Sequence, residues 1–525
     1  MTNANPTALL RSLIVYAICV PLAVVLGFTL VNLPYYSFHD TQSMVIVGVV
    51  VGVLVFPLLM KWHYPLLLFS WNLPIVLFFL PGRPSLFIPM VVASLTISII
   101  ERILNRNRPF LPAGGVRWPL ILLVGVIYLT AKLTGGFGLR AMGSDVYGGK
   151  KYLFLIVGIM SLFAITARPI PRNQVKLYVF LFIAGGFFSI ISDLYAFIPG
   201  PLRGIYALFP PSGNAMDSMG NFQVEWGRTR LGGIAGTAGW IFTLMVAVYG
   251  FRGCFLTHKL WRPAVVIMMV LLITLGGFRS AIIGVMLTLG LLFFMEKIHR
   301  TSMMLVVVLL GISGAVLLVP LTPHLPYTFQ RTLAFLPLDI SPDVRMDAED
   351  STEWRLAIWS AIAPQIPKYL LLGKGYAFTQ ETFNESMGAN AMFHNTIDPS
   401  QDPLALSSDF HSGPLSVVIP FGLWGVIIWM WYVAAGFRVV WRNYQYCDDE
   451  VKTINRFFYV YYITKLLMFF FIFGDFVNDV GGFGAVIGLS IAINHGVMKP
   501  KSKAASQPNA VKPGPYTPRL AWQRQ

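Results

Sequence analysis

Ser302-Met303-Met304-Leu305-Val306-Val307-Val308-Leu309-Leu310-Gly311-Ile312-Ser313-Gly314-Ala315-Val316-Leu317-Leu318-Val319-Pro320 carries no ionisable side chain. Wound as a helix, such a run comes close to the roughly 30 Å of hydrocarbon in a bilayer. Comparable runs recur from end to end, near 12–32, 43–60, 64–81, 84–100, 117–133, 152–167, 176–199, 232–251, 262–278, 280–296, 413–437, 456–474 and 480–497. The 525 residues are 56% hydrophobic and 12% charged, where a soluble chain carries about a quarter charged. Mean hydropathy is +0.66. A segment surrounded by lipid must satisfy its own backbone, so these runs predict helices. The expected fold is an all-α, polytopic integral membrane protein of about 12–14 transmembrane helices, with one large extracytoplasmic loop containing short surface helices.

Lysine and arginine in short loops orient such a bundle. With both termini in the cytoplasm, the inner loops receive Arg102, Arg106, Arg108 and Arg117, then Arg168, Arg172 and Lys176, then Arg252, Lys259 and Arg262. Lys297, Arg300, Arg438, Arg442, Lys452 and Arg456 follow, and the tail has no Asp or Glu after Asp479. Residues 321–411 fall outside, where eleven Asp and Glu outnumber five Lys and Arg. The net charge of +16 then reports topology against an anionic lipid bilayer, and it gives no support to nucleic-acid binding. Of three cysteines, Cys19 lies in the first span and Cys254 and Cys447 on the inner side. No disulfide framework is expected, and no Cys/His spacing suits a metal. The first span lacks a small-residue cleavage site and is followed by more spans.

The chain divides into N-terminal transmembrane helices (1–199), core helices with Arg-bearing outer segments (200–320), the large loop (321–411), C-terminal transmembrane helices (412–497) and a basic tail (498–525) of disordered composition. Inside the loop, Ser351-Thr352-Glu353-Trp354-Arg355 reads as a helix start, a capping hydroxyl before an apolar-periodic run. Arg355 and Trp359 share a face four residues apart. Gly373-Lys374-Gly375 ends the segment as a flexible turn.

Four stretches in this order resemble the O-antigen ligase superfamily, which also contains O-antigen polymerases. They are Arg230-Leu231-Gly232-Gly233 before a span; Gly276-Gly277-Phe278-Arg279-Ser280 between two spans; Arg355 and Trp359 followed by Leu371-Leu372-Gly373-Lys374-Gly375; and His411-Ser412 followed by Gly422 and Gly425. Ser412 stands where the family commonly has Asn, and Phe278 where it commonly has Ser. The resemblance implies transfer of a glycan from an undecaprenyl-pyrophosphate-linked donor to a hydroxyl on a glycan, on lipid A-core or on a protein. It places the protein in the bacterial inner membrane with its active site on the periplasmic face, and it implies neither cofactor nor metal.

That chemistry needs fixed cations for a departing diphosphate and a base for the attacking hydroxyl. Arginine binds phosphate oxygens with a planar fork and stays charged near lipid, while histidine titrates near neutrality. The candidate site is therefore His411 as base with Asp409 as its partner, and Arg230, Arg279, Arg355 and Arg228 on the diphosphate, all around a shared cavity. Position alone also suits plainer roles. Arg279 could snorkel to headgroups, Arg228 could take the place of Arg230, and Arg355 could be solvated or paired. His411 could be an interfacial histidine satisfied by a carbonyl, and His394 competes with it as a base. Asp347, Glu349, Asp350 and Glu353 read as a solvated strip. Gly422 and Gly425 suit close helix approach. The competing function is a lipid-linked oligosaccharide flippase, which needs ionisable groups along a mid-membrane path. Lys465 is the main such group in the sequence.

Overall fold

The computed structural model describes residues 41–80, 82–105, 110–138, 144, 146–196, 198–211, 229–382, 384 and 408–500. Cys19, Arg228, His394, the 12–32 run and the tail beyond residue 500 lie outside the described residues. The helices in chain order are α1 (Thr41–Ser70), α2 (Phe87–Leu104), α3 (Arg117–Leu133), α4 (Gly149–Thr166) and α5 (Val175–Ala184), the last prolonged by a 3-10 stretch, Gly185–Ala196. Next come α6 (Gly232–Phe255), α7 (Trp261–Thr274), α8 (Arg279–Met295) and α9 (Met303–Leu321). The segment that follows contains α10 (Tyr327–Leu333) and α11 (Pro342–Ile362), and the chain closes with α12 (Gly413–Tyr446), α13 (Lys452–Leu467) and α14 (Phe476–Ile493). Two short strands, Val146–Tyr147 and Phe378–Thr379, pair antiparallel.

Among the described residues, nine helical segments are long and apolar enough to cross a membrane, and α7 and α8 are shorter apolar helices. The runs 43–60 and 64–81 are not separate spans, because α1 continues through Pro57 and Pro65 to Ser70. Without water to take over freed backbone groups, a proline in lipid bends a helix more readily than it ends one.

Small residues set the packing. The most extensive helix contact is α14 against α4, where a Cβ on Gly158 would come within 3.1 Å of the Gly481 nitrogen. Lipid is as apolar as leucine, so close approach and dispersion hold such pairs together. By contrast, none of the residues of α9 is buried.

Two expectations about local structure are corrected. α11 begins at Pro342 after Ser341, not at Ser351. Thr352 Oγ1 donates within the helix to the Ala348 carbonyl at 3.0 Å, so it caps nothing; proline at the first helical position starts the helix instead. Nor is the turn at Gly373-Lys374-Gly375 free. α12 breaks at Gly422 (φ 62°, ψ −157°), and the turn docks on that break. The Lys374 and Gly375 amides donate to the carbonyls of Ile419 (2.7 Å) and Pro420 (3.0 Å), and the Leu423 amide donates to Leu370 O (2.6 Å). Gly373, at φ +77°, approaches so closely that a Cβ would stand 2.1 Å from Pro420 O. The glycines of two sequence motifs thus meet in one joint inside α12, at the break that follows its first turns.

Candidate active site

The arginines come together because a hairpin and two short helices converge. Gly277 takes a left-handed φ of +67° between α7 and α8, which turns the chain so that Arg279 starts α8. The Leu231 amide donates to Leu275 O at 3.0 Å, which fixes Arg230 beside the same hairpin. Arg331 of α10, only 5% exposed, lies under both. Its Nη1 donates to Gly277 O at 2.6 Å, and its Nε to Asp347 Oδ2 at 2.5 Å. Tyr327 donates to the same oxygen at 2.7 Å, and Arg230 Nη2 stands 3.4 Å from it. Arg279 Nη2 donates to Ala348 O and Thr352 Oγ1, both at 3.1 Å.

Electrostatics follow from this crowding. Burial alone would raise the Asp347 carboxyl, yet hydrogen bonds from Arg331 and Tyr327 and the charges of Arg331 and Arg230 outweigh it and hold it below the usual range. Burial lowers the Arg230 and Arg355 guanidinium groups, and Arg331 lowers both further. Among the described residues, the buried Arg355 Nε has no hydrogen-bond partner. Asp347 is the only carboxylate among the described residues that ion-pairs with any of these four arginines. Its reading as part of a solvated strip is therefore corrected: the strip lies on α11, and Asp347 is its inward member.

His411 sits at the other end of α11. Its ring meets the rings of Trp354 and Phe473 edge-on at 5.3 and 5.0 Å. Its Nδ1 is 3.3 Å from Asp409 Oδ1, close enough for an ion pair although not aligned as a hydrogen bond. The approach is possible because the segment is not extended. His411 adopts φ +50°, a left-handed conformation that costs a non-glycine residue on the order of 1 kcal/mol. Neighbouring contacts hold it there. Trp359 Nε1 donates to Phe410 O at 2.8 Å, and Phe410 is buried against Ile358, Ile362 and Ile419. Contact with the His411 imidazole is the first reason the Asp409 carboxyl lies below its usual range; burial opposes it, and Lys151 adds to it.

Asp409 also lines a cavity of about 630 Å³ that runs along Gly232, Gly236 and Gly239 of α6, past Phe278, to Asp475. Asp475 caps α14, accepting from the Val477 amide at 3.3 Å and from Asn478 Nδ2 at 2.6 Å. Burial raises its carboxyl, Lys151 and the Val477 amide oppose that, and Asp409 and Asp479 raise it further. Lys465, which reads in the sequence as a mid-span charge, lies in the last turn of α13 and pairs with Asp479 at 2.6 Å.

The expected residues are joined differently from expectation. Arg230 lines a hollow of about 380 Å³ with Tyr327 and Asp347, and Arg279 one of about 290 Å³ with Ala348 and Thr352. His411 lines neither, nor the larger cavity. None of these three cavities of the described residues holds all three, and α11 stands between them; Asp347, Ala348 and Thr352 face the arginines, and Trp354 and Trp359 face the His411 segment. Arg228 lies outside the described residues. Arg331, Tyr327, Lys151 and Asp475 had no site role in the sequence reading, and Asp347 figured there only as part of a solvated strip. For Asp475, the available signal was its place just before a span, two residues from Phe473.

Residues 264–430 match the family model Wzy_C, described as O-antigen ligase. The matched segment contains Arg279, Arg331, Asp347, Arg355 and His411, and stops short of Arg230 and Asp475. No curated protein matches the chain.

Proposed function

We propose, from the match of residues 264–430 to the O-antigen ligase family model, that this chain is a membrane glycosyltransferase of cell-surface polysaccharide assembly, working on the periplasmic face of the bacterial inner membrane. Its donor is a glycan on undecaprenyl pyrophosphate, and its acceptor a hydroxyl of another glycan, of lipid A-core or of a protein. One observation carries the reading: Arg230 and Arg331 pair with Asp347 of α11, Arg279 bonds the next turn of that helix at Ala348 and Thr352, Arg355 lies within electrostatic reach of Arg331, and the same helix seats the His411 ring through Trp354. Guanidinium groups gathered this closely, with donors left over from Asp347, suit a polyanion, and a diphosphate matches their forks.

The acceptor oxygen attacks the anomeric carbon of the donor and forms the new glycosidic bond. The bond from that carbon to the phosphate oxygen breaks, and its electron pair leaves with the lipid diphosphate, whose charge Arg230, Arg279 and Arg355 neutralise. His411 takes the hydroxyl proton, and Asp409 stabilises the imidazolium. Arg331 stays with Asp347 and Gly277, so its part is to hold the hairpin that carries Arg279. The flippase alternative loses its best residue, since Lys465 is neutralised by Asp479 at the ends of two helices.

The test is transfer by purified protein from a lipid-linked donor, read as lipid diphosphate released. Wild-type protein is expected to release it only when an acceptor is present, and Arg279→Ala to lose most of that release. Release that is indifferent to both acceptor and Arg279 would remove the transferase reading.

A further inference from the structure

Asp347 makes two kinds of contact with the arginines. Arg331, nearly out of solvent, holds it at 2.5 Å, and Tyr327 supports that bond at 2.7 Å. Arg230 reaches the same oxygen only at 3.4 Å, from a side chain 27% exposed. Among the described residues, Arg279 bonds neutral oxygens and Arg355 Nε has no hydrogen-bond partner. Asp343 and Asp350 also line the Arg230 hollow, and Glu349 and Glu353 the Arg279 hollow, yet among the described residues only Asp347 ion-pairs with these arginines, shared between a tight partner and a loose one. A diphosphate supplies the missing acceptors, and the loosest contact is the first to be exchanged.

Building on the donor reading above, we propose that Asp347 is a resident counter-ion: it occupies Arg230 while the site is empty, releases Arg230 to the donor diphosphate, and keeps Arg331 throughout. No covalent bond changes in this exchange. One ion pair is replaced by another, and Tyr327 and Arg331 hold the carboxylate in place. The same carboxylate reclaims Arg230 after transfer, so it weakens diphosphate capture and speeds departure of the spent lipid diphosphate. Asp347 is therefore a positioning residue whose effects on KM and kcat are linked.

The experiment measures binding of inorganic pyrophosphate to full-length detergent-solubilised protein by calorimetry, together with steady-state transfer. Asp347→Asn keeps an oxygen for Tyr327 and Arg331 and removes the charge. It is expected to bind pyrophosphate about tenfold tighter, the order expected for removing one like charge at the edge of such a site, with donor KM and kcat both lower. Asp347→Glu is expected to track wild type. Arg230→Gln, which removes an arginine already partly neutralised, is expected to weaken pyrophosphate binding less than Arg279→Gln does. Equal or weaker binding by Asp347→Asn, or an Arg230→Gln loss as large as that of Arg279→Gln, overturns the proposal. Were Asp347→Asn not to fold, the comparison of the two arginine variants decides alone. Wild-type protein that ignores pyrophosphate, or binds it equally well with Arg279→Gln, removes the donor reading itself; a clear Arg279→Gln loss without the Asp347 effect removes only this inference.

Discussion

The two flanks of His411 carry opposite chemistry. Toward α10 and α11, Arg230, Arg279, Arg331 and Arg355 gather near Asp347, which pairs with two of them, and Asp343, Glu349, Asp350 and Glu353 line the hollows beside them. Toward the glycine-lined cavity, Asp409, Asp475 and Asp479 meet Lys465, with Lys151 close by. A phosphate charge about 5 Å from a guanidinium gains, and from a carboxylate loses, roughly 3 kcal/mol at an effective dielectric of 20. On the proposed reading, a diphosphate would go to the arginine flank and an uncharged hydroxyl to the cavity side. The difference teaches that, on the proposed reading, the His411 ring, seated between the two flanks, would have to join them.

The harshest way to break that comparison is at the boundary itself. His411→Ala is expected to lose on the order of 10²–10⁴-fold in transfer, the usual contribution of a general base, with the protein still inserted and pyrophosphate still bound. Single-turnover transfer at wild-type speed would show that the two flanks are not joined through the imidazole. Next comes Arg279→Ala, expected to lower kcat/KM for donor by about 10²-fold, with Arg279→Lys in between because it keeps charge without the fork. If Asp475→Asn raises donor KM as much as Arg279→Ala does, the flanks are not chemically distinct.

A smaller effect is expected from filling the cavity. A Cβ at Gly239 meets nothing within 4 Å, so Gly239→Leu occupies open space, and it gains up to about 1 kcal/mol of helix propensity. The thermal midpoint is expected to hold or rise while transfer falls about tenfold; unchanged transfer would show that no substrate enters along α6.

The smallest effect is in pH-dependent stability. The raised Asp475 carboxyl stabilises the fold below the ordinary carboxylate value of about 4, and that contribution is lost as pH rises through its elevated folded value. The depressed Asp409 carboxyl behaves oppositely, its contribution present above about 4 and lost as pH falls through its folded value. Asp475→Asn retains the cap and is expected to raise the unfolding midpoint at neutral pH but not at pH 3. An equal rise at both would show that Asp475 and Asp409 do not oppose each other.

Much of this arrangement was legible in the chain. Apolar runs give helices because lipid leaves the backbone no other partner, and Arg279 and His411 stood out as polar residues where spans begin. What stayed hidden is tertiary. Arg331 and Asp347 belong to different helices, and nothing in either neighbourhood announces that one neutralises the other. Hydropathy also cannot separate lipid-facing from protein-facing residues. α9 and α14 both read as plain spans, yet α9 buries none of its residues and the segment Phe476–Ile493 is 83% buried. Gly422 suited close helix approach in the sequence, and a Cβ there would stand 2.5 Å from Leu370 O; the helix break at its positive φ was not legible.

α9 has a consequence beyond packing. It runs through the turn Thr322–His324 into α10, which carries Arg331. An apolar helix in a bilayer answers hydrophobic mismatch by tilting, and a tilt of α9 would reach Arg331 through this turn. On the proposed function, transfer rates are therefore expected to vary in vesicles of graded acyl length, and equal rates would show that the turn does not transmit tilt.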